Sequence, residues 1–227
     1  MARIEAVRRL RGLDEAYRHR MKREVTSEVL RILGVELFVQ GPLPSPDEAN
    51  LVVANHRTAL DIGVLMSQVG GAFLSRSDLA EWPIAGPLAK HATTIFVQRD
   101  DRRSGAKAIR EIRRRLEQRE TVIVFPEGTT HRGDVVHEFK SGSFAALRGI
   151  RANVVPVGIA YPDGTEYVGN SFGEHVRDIA SRVRTPVVAT FGNSFEAGAK
   201  RDQLALQAHE SVQELTHESR RALDLRL

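Results

Sequence analysis

The chain has 227 residues, 41% of them hydrophobic and 27% charged, with a formal net charge of +4 and no cysteine. That composition is globular, and the missing cysteine excludes disulfides, thiolate nucleophiles and cysteine-ligated zinc or iron–sulfur centres. No apolar run approaches the ~18 residues of a spanning helix, and the first 24 residues lack the apolar centre of a secretion signal, so a soluble or peripheral protein is expected.

Residues 1–24 carry eight Lys or Arg against four Asp or Glu, which accounts for all of the net charge. Anionic lipid, an acidic carrier protein or nucleic acid would suit that excess. Ile4, Val7, Leu10, Leu13, Tyr17, Met21, Val25, Val29 and Ile32 recur at helical period. The pattern predicts a basic amphipathic helix or helix pair over residues 1–34, with Gly34 placed to end it. Its apolar stripe either packs on the domain, the commoner fate, or lies on a membrane surface.

Residues 35–227 read as one α/β domain. VELFVQG (35–41) is a strand, and GPLPSPDEAN is a loop because three prolines deny it regular structure. LVVAN is a strand, followed by a helix from about Thr58 to Val69. GGAFLSR is a strand, Asp78 to His91 a helix broken around Pro83 and Pro87, and TTIFVQR a short strand. Ser104 is placed to cap a helix on which Ile109, Ile112 and Leu116 share a face. TVIVFPEG runs from a buried strand into a glycine turn, and GSFAALRGI is helical. NVVPVGIAY and TPVVATFG are strands, and Pro156 argues for a strand edge or end. A last helix runs from Arg201 to about Leu223, burying Leu204, Ala208, Val212 and Leu215. Strands alternating with helices predict a mostly parallel sheet flanked by helices.

His56 and Asp61 fall where the LVVAN strand gives way to a helix. Their spacing alone means little, since His19 and Glu24, and His209 and Glu214, repeat it. Five residues on a helix place side chains about 140° apart, so those pairs do not meet. His56 differs because it follows a strand and can fold back over the first helical turn. Asp61 near a helix N-terminus is also favoured by the helix dipole alone. If the two meet, the carboxylate fixes the imidazole tautomer and the other ring nitrogen becomes a general base. That is two-thirds of a hydrolase triad. Ser143 in KSGSFAAL is flanked wrongly for a nucleophile elbow. A substrate hydroxyl is the remaining nucleophile, which points to direct acyl transfer to an alcohol.

Four blocks between residues 51 and 160 then stand in one order: NHRTALD with His56 and Asp61, TIFVQR ending at Arg99, FPEGTT at Phe125 to Thr130, and VVPVGI around Val155 and Pro156. Together they resemble the glycerolipid acyltransferase family, whose best-known members are lysophosphatidic acid acyltransferases. WPIAG (Trp82 to Gly86) and FKSG (Phe139 to Gly142) also resemble family stretches. The resemblance implies catalysis by His56 and Asp61, and an acceptor site using Arg99, Glu127, Gly128 and Thr129. Arginine suits bidentate phosphate binding, and the backbone near Gly128 can meet an oxyanion. Where the family usually has arginine after Gly-Thr, this chain has Thr130, leaving Arg132 or Lys140 to replace that cation. Thr93 and Gln98 also depart from the family pattern.

The implied reaction moves a fatty acyl group from acyl-CoA or acyl-carrier protein to the free hydroxyl of a lyso-lipid. The first acceptor is 1-acylglycerol-3-phosphate, giving phosphatidic acid. Lyso-ornithine lipid is the alternative, since a Thr-Thr variant occurs among relatives using it; a non-catalytic lipid-surface protein is the other alternative. No metal or cofactor is expected beyond the co-substrate. The expected location is cytoplasmic, peripheral on the inner face of the membrane. Aromatic residues make up 6% of the chain and no reader motif is present, so nucleic acid is not an expected partner.

Overall fold

The structure, a computed structural model, describes residues 17, 19–76, 95–97, 102–169 and 171–227. Arg99, the Trp82–Gly86 stretch and the broken helix expected at Asp78 to His91 lie outside the described residues.

The elements in chain order are α1 (residues 19–32), β1 (Val35–Gln40), β2 (Asn50–Ala54), α2 (Leu60–Val69), β3 (Ala72–Arg76), β4 (Ile95–Val97) and α3 (Arg102–Glu117). They continue with β5 (Thr121–Val124), a 3₁₀ helix (Ser143–Leu147), β6 (Asn153–Ala160), α4 (Phe172–Ala180), β7 (Thr185–Phe191), β8 (Phe195–Glu196) and α5 (Arg201–Asp224). The strands form one sheet in the order β1-β7-β6-β2-β5-β3-β4, with β8 also pairing with β6. Pairing is parallel except where β6 meets β7 and β8.

β2 lies inside the sheet and all five of its residues are buried. Its side chains alternate between two cores, as a strand's period of two requires. Leu51 and Val53 join Ile112, Leu116, Phe144, Leu204 and Val212 on the face covered by α3, the 3₁₀ helix and α5. Val52 and Ala54 join Leu30, Val64, Leu65, Ile159 and Ile179 on the face covered by α1, α2 and α4. Burial on both faces is why this strand reads as an apolar run rather than an alternation.

Four expectations need correction. α3 already includes Arg102, so Ser104 lies inside the helix instead of capping it. α2 begins at Leu60, because the residues from His56 to Ala59 form the turn that carries the site. Pro156 lies within β6, an interior strand. Its carbonyl accepts from the Gly192 amide at 2.9 Å, beyond the end of β7. The side of β6 that lacks an N–H therefore faces the break between β7 and β8, a local edge inside the sheet. Finally, α4 was not expected at all.

The apolar stripe of the N-terminal segment also behaves differently from a core face. Leu30 is the buried residue of α1, and it lies over Gly63 of α2. The Arg23 guanidinium donates to the Ser67 carbonyl of the same helix. Tyr17, Met21, Val25 and Ile32, all members of the stripe, are exposed.

Candidate active site

β2 and β5 are parallel neighbours, with Val53 opposite Val124. The chain therefore leaves both strands side by side, at Asn55–His56 and at Phe125–Pro126–Glu127. From β2 it crosses β5 to reach β3, and from β5 it crosses back over β2 to reach β6. Such a reversal opens a crevice at the carboxyl ends of the strands.

Asp61, the second residue of α2, is fully buried. Its Oδ2 accepts from His56 Nδ1 at 2.7 Å, the Arg57 amide at 2.7 Å and the Thr58 amide at 3.0 Å. The two roles open to this carboxylate, helix N-terminal acceptor and histidine partner, are thus filled by one oxygen. With Asp61 ionised, His56 carries its proton on Nδ1 and presents a lone pair at Nε2. The imidazole is stacked on Phe125, with ring centres 4.2 Å apart, and its side chain is 18% exposed. The imidazole is held but not sealed.

Glu127 departs from the expectation that its side chain meets a ligand. The carboxylate is fully buried and saturated within the protein. It accepts from the His56 amide at 2.7 Å, the His137 amide at 2.9 Å and the Arg57 guanidinium at 3.1 Å. Arg57 also donates to the carbonyls of His56, Gly133 and Val135. The buried pair ties the end of β2, the turn after β5 and the 131–137 loop together. Sequence gives no warning of this, because NHRTALD does not distinguish a buried arginine from a surface one.

The expected oxyanion donor is also engaged. Phe125 to Gly128 form a tight turn in which the Gly128 N–H donates to the Phe125 carbonyl at 3.1 Å. Gly128 has φ +83°, which favours glycine, and a Cβ there would meet Lys140 Nζ at 2.8 Å. The Lys140 ammonium therefore lies directly against the turn. Thr129, Arg132 and Lys140 are exposed and open to a ligand. The Thr130 hydroxyl is turned inward and donates to the Tyr167 carbonyl.

Two further histidines border the pair. The His131 and His137 rings are stacked with centres 3.7 Å apart, and the His131 amide donates to the His56 carbonyl. Burial pushes the His131 pKa down from its usual value, against the opposing pull of the Glu127 charge. Behind Asp61, His175 of α4 is buried with its Nε2 at 2.8 Å from the Thr58 hydroxyl. The sequence signal for α4 is a capping box, Ser171 with Glu174. That segment also contains a Gly-x-Ser-x-Gly pattern, Gly169 to Gly173. Its Ser171 caps the helix, its hydroxyl donates to Glu174 Oε2 at 2.8 Å, and it does not follow a strand. It is a cap, not a nucleophile elbow.

A family model described as Acyltransferase matches residues 36–160. A lyso-ornithine lipid O-acyltransferase of Rhizobium meliloti is 34% identical over 158 residues, covering 66% of this chain and 52% of that protein. A 1-acyl-sn-glycerol-3-phosphate acyltransferase of Neisseria meningitidis is 31% identical over 159 residues, covering 69% of this chain and 62% of that protein. The alignments thus take in less than two thirds of those two relatives' length. The crystal structure of the 1-acyl-sn-glycerophosphate acyltransferase PlsC from Thermotoga maritima shares the fold, with a TM-score of 0.69 and 24% identity over 90% of this chain and 82% of that chain.

Proposed function

This chain belongs to the acyltransferase family, and from that premise we propose that it moves a fatty acyl group from a thioester donor to the free hydroxyl of a lyso-lipid. The observation that carries the reading is the 2.7 Å bond from His56 Nδ1 to Asp61 Oδ2 at the carboxyl end of β2. It leaves Nε2 basic at the crevice mouth.

In this reading His56 Nε2 takes the proton of the acceptor hydroxyl as its oxygen attacks the thioester carbonyl carbon. The new C–O bond forms a tetrahedral oxyanion. The C–S bond then breaks and the departing thiolate receives the proton from Nε2. Asp61 stabilises the imidazolium between those events without being protonated. Because the Gly128 amide is committed to its turn, charge on the oxyanion falls to the Lys140 ammonium and the exposed backbone at Thr129. Arg132, with Arg99, binds the acceptor head group. Glu127 contributes by holding His56 in place.

The first acceptor to test is 1-acylglycerol-3-phosphate, as the name of the Neisseria relative suggests. Lyso-ornithine lipid is the alternative, favoured by Thr130 at the family's arginine position and by the Rhizobium relative. The donor is acyl-CoA or acyl-carrier protein. Among the described residues no helix is long and apolar enough to cross a membrane. Attachment belongs to the same reading: the exposed stripe of α1, flanked by Arg20 and Arg31, lies on an anionic surface at the inner face of the cytoplasmic membrane.

Purified protein given both donors and a mixed lyso-lipid panel, with products read by mass spectrometry, tests the activity and names the acceptor. His56→Ala should lower turnover roughly a thousandfold while leaving the fold intact. Near-normal turnover in that variant would remove His56 from the mechanism. No product from any acceptor would favour a non-catalytic lipid-binding protein.

A further inference from the structure

All three hydrogen bonds to the Asp61 carboxylate arrive at Oδ2, while Oδ1 is buried with no partner in hydrogen-bond geometry. A carboxylate held by one oxygen can turn about its Cβ–Cγ bond, and turning would loosen the contact to His56. The second oxygen therefore needs a constraint. Tyr161, just past the end of β6, is 3% exposed, and its hydroxyl is another of the five buried side-chain atoms without a partner among the described residues. β6 runs parallel to β2 with Val157 opposite Ala54, and the Asn55 side chain bonds both the amide and the carbonyl of Ile159, so Tyr161 leaves the sheet beside the turn that carries Asp61. Burial pushes the phenol's pKa well up, and the next influences raising it are the charge of Asp61 and its carboxylate as acceptor.

On the far side of the same turn, His175 approaches from α4. Its ring packs against Tyr167, with centres 4.9 Å apart, and Nε2 meets the Thr58 hydroxyl at 2.8 Å. Thr58 is bound to Asp61 twice through its backbone: its amide donates to Oδ2 and its carbonyl accepts the Asp61 amide at 3.2 Å. Its hydroxyl also accepts from the Leu60 amide at 3.4 Å. Fixing that hydroxyl fixes the turn around the carboxylate. Burial lowers the His175 pKa, which suits a neutral ring in this position.

We infer that Tyr161 and His175 are positioning residues for the His56–Asp61 pair, Tyr161 by donating its hydroxyl to Asp61 Oδ1 and His175 by locking Thr58. Both are buried, at 3% and 2% exposure, so neither side chain is open to substrate. Residues that support a catalytic group in this way set the rate through its geometry. The kinetic half of the inference rests on the acyl-transfer reading; the structural half does not.

The experiment uses the full chain, with ¹⁵N-labelled histidine, in Tyr161→Phe, His175→Phe and His175→Gln forms. The low-field proton of the His56 Nδ1 bond is assigned by its loss in His56→Ala. Tyr161→Phe and His175→Phe should shift or broaden that resonance. Tyr161→Phe should lower kcat roughly tenfold, the size of one lost hydrogen bond to a charged group, and His175→Phe about two- to tenfold, the size of one between neutral groups, each with KM within about twofold. His175→Gln, which can still reach Thr58, should recover most of both signals. An unmoved resonance in a folded Tyr161→Phe chain, or a loss confined to KM, overturns the inference. Should His175→Phe fail to fold, Tyr161→Phe differs by a single oxygen and decides alone. A wild-type chain without transferase activity that still shows the shifts would sink the proposed function and leave this inference standing.

Discussion

Glu127 shows how a single buried carboxylate can organise a site it does not enter. It meets the His56 and His137 amides and the Arg57 guanidinium at once, and its side chain is fully buried. Removing one partner of such a pair strands the other charge in a low-dielectric setting, which costs about 3–5 kcal/mol. Glu127→Ala should therefore lower unfolding stability by about that amount in urea titrations. Glu127→Gln should cost less, because its amide oxygen still accepts from the His56 N–H. A loss below about 1 kcal/mol in the alanine variant would show that the carboxylate is not the tie proposed for it.

Among the elements, α5 is held to the sheet by a close backbone approach at β6. A Cβ built at Gly158 of β6 would lie 2.2 Å from the backbone of Leu215 and Thr216. Ser219 of α5 donates to the Gly158 carbonyl at 2.9 Å, closing the contact. No side chain fits between, so Gly158→Ala must push the helix outward. The expected cost is about 1–3 kcal/mol or more, read as a lower midpoint in thermal or urea unfolding. β6 also carries Tyr161 at its end, so the variant should reduce turnover as well as stability. A fully stable Gly158→Ala protein would mean that α5 shifts freely on the sheet.

The whole molecule pairs a crevice at one end of its sheet with an exposed apolar stripe on α1 and at Tyr17 before it. Tyr17, Met21, Val25 and Ile32 are 54%, 38%, 46% and 70% exposed, a row that a helix buried on the domain would hide. Replacing Met21, Val25 and Ile32 with Asp touches no buried contact and should change stability by about 0.5 kcal/mol per site or less. The same triple variant should bind phosphatidylglycerol vesicles less tightly in a flotation assay. Unchanged binding would move the membrane contact to another surface.

Among the described residues, periodicity placed seven of the eight strands, four of the five α-helices and the parallel sheet, because local apolar spacing records which faces are buried. It missed α4, whose two buried residues, His175 and Ile179, make too short an apolar signal beside its capping box. It put Pro156 at an edge, because a missing N–H records a local break in the ladder but not whether the strand is interior. The strand-to-helix turn allows His56 to fold back over Asp61, and the 2.7 Å contact between them spans that one turn. The sequence pattern does not show that Glu127 turns inward to Arg57, that the Gly128 amide is spent on its own turn, or that His175 reaches Thr58, beside Asp61, from 117 residues away. The Gly128 bond is local to its turn, but the Glu127 and His175 contacts depend on which segments the sheet makes neighbours. Local spacing fixes a residue's face, whereas hydrogen bonds between distant segments exist only once the sheet has assembled them.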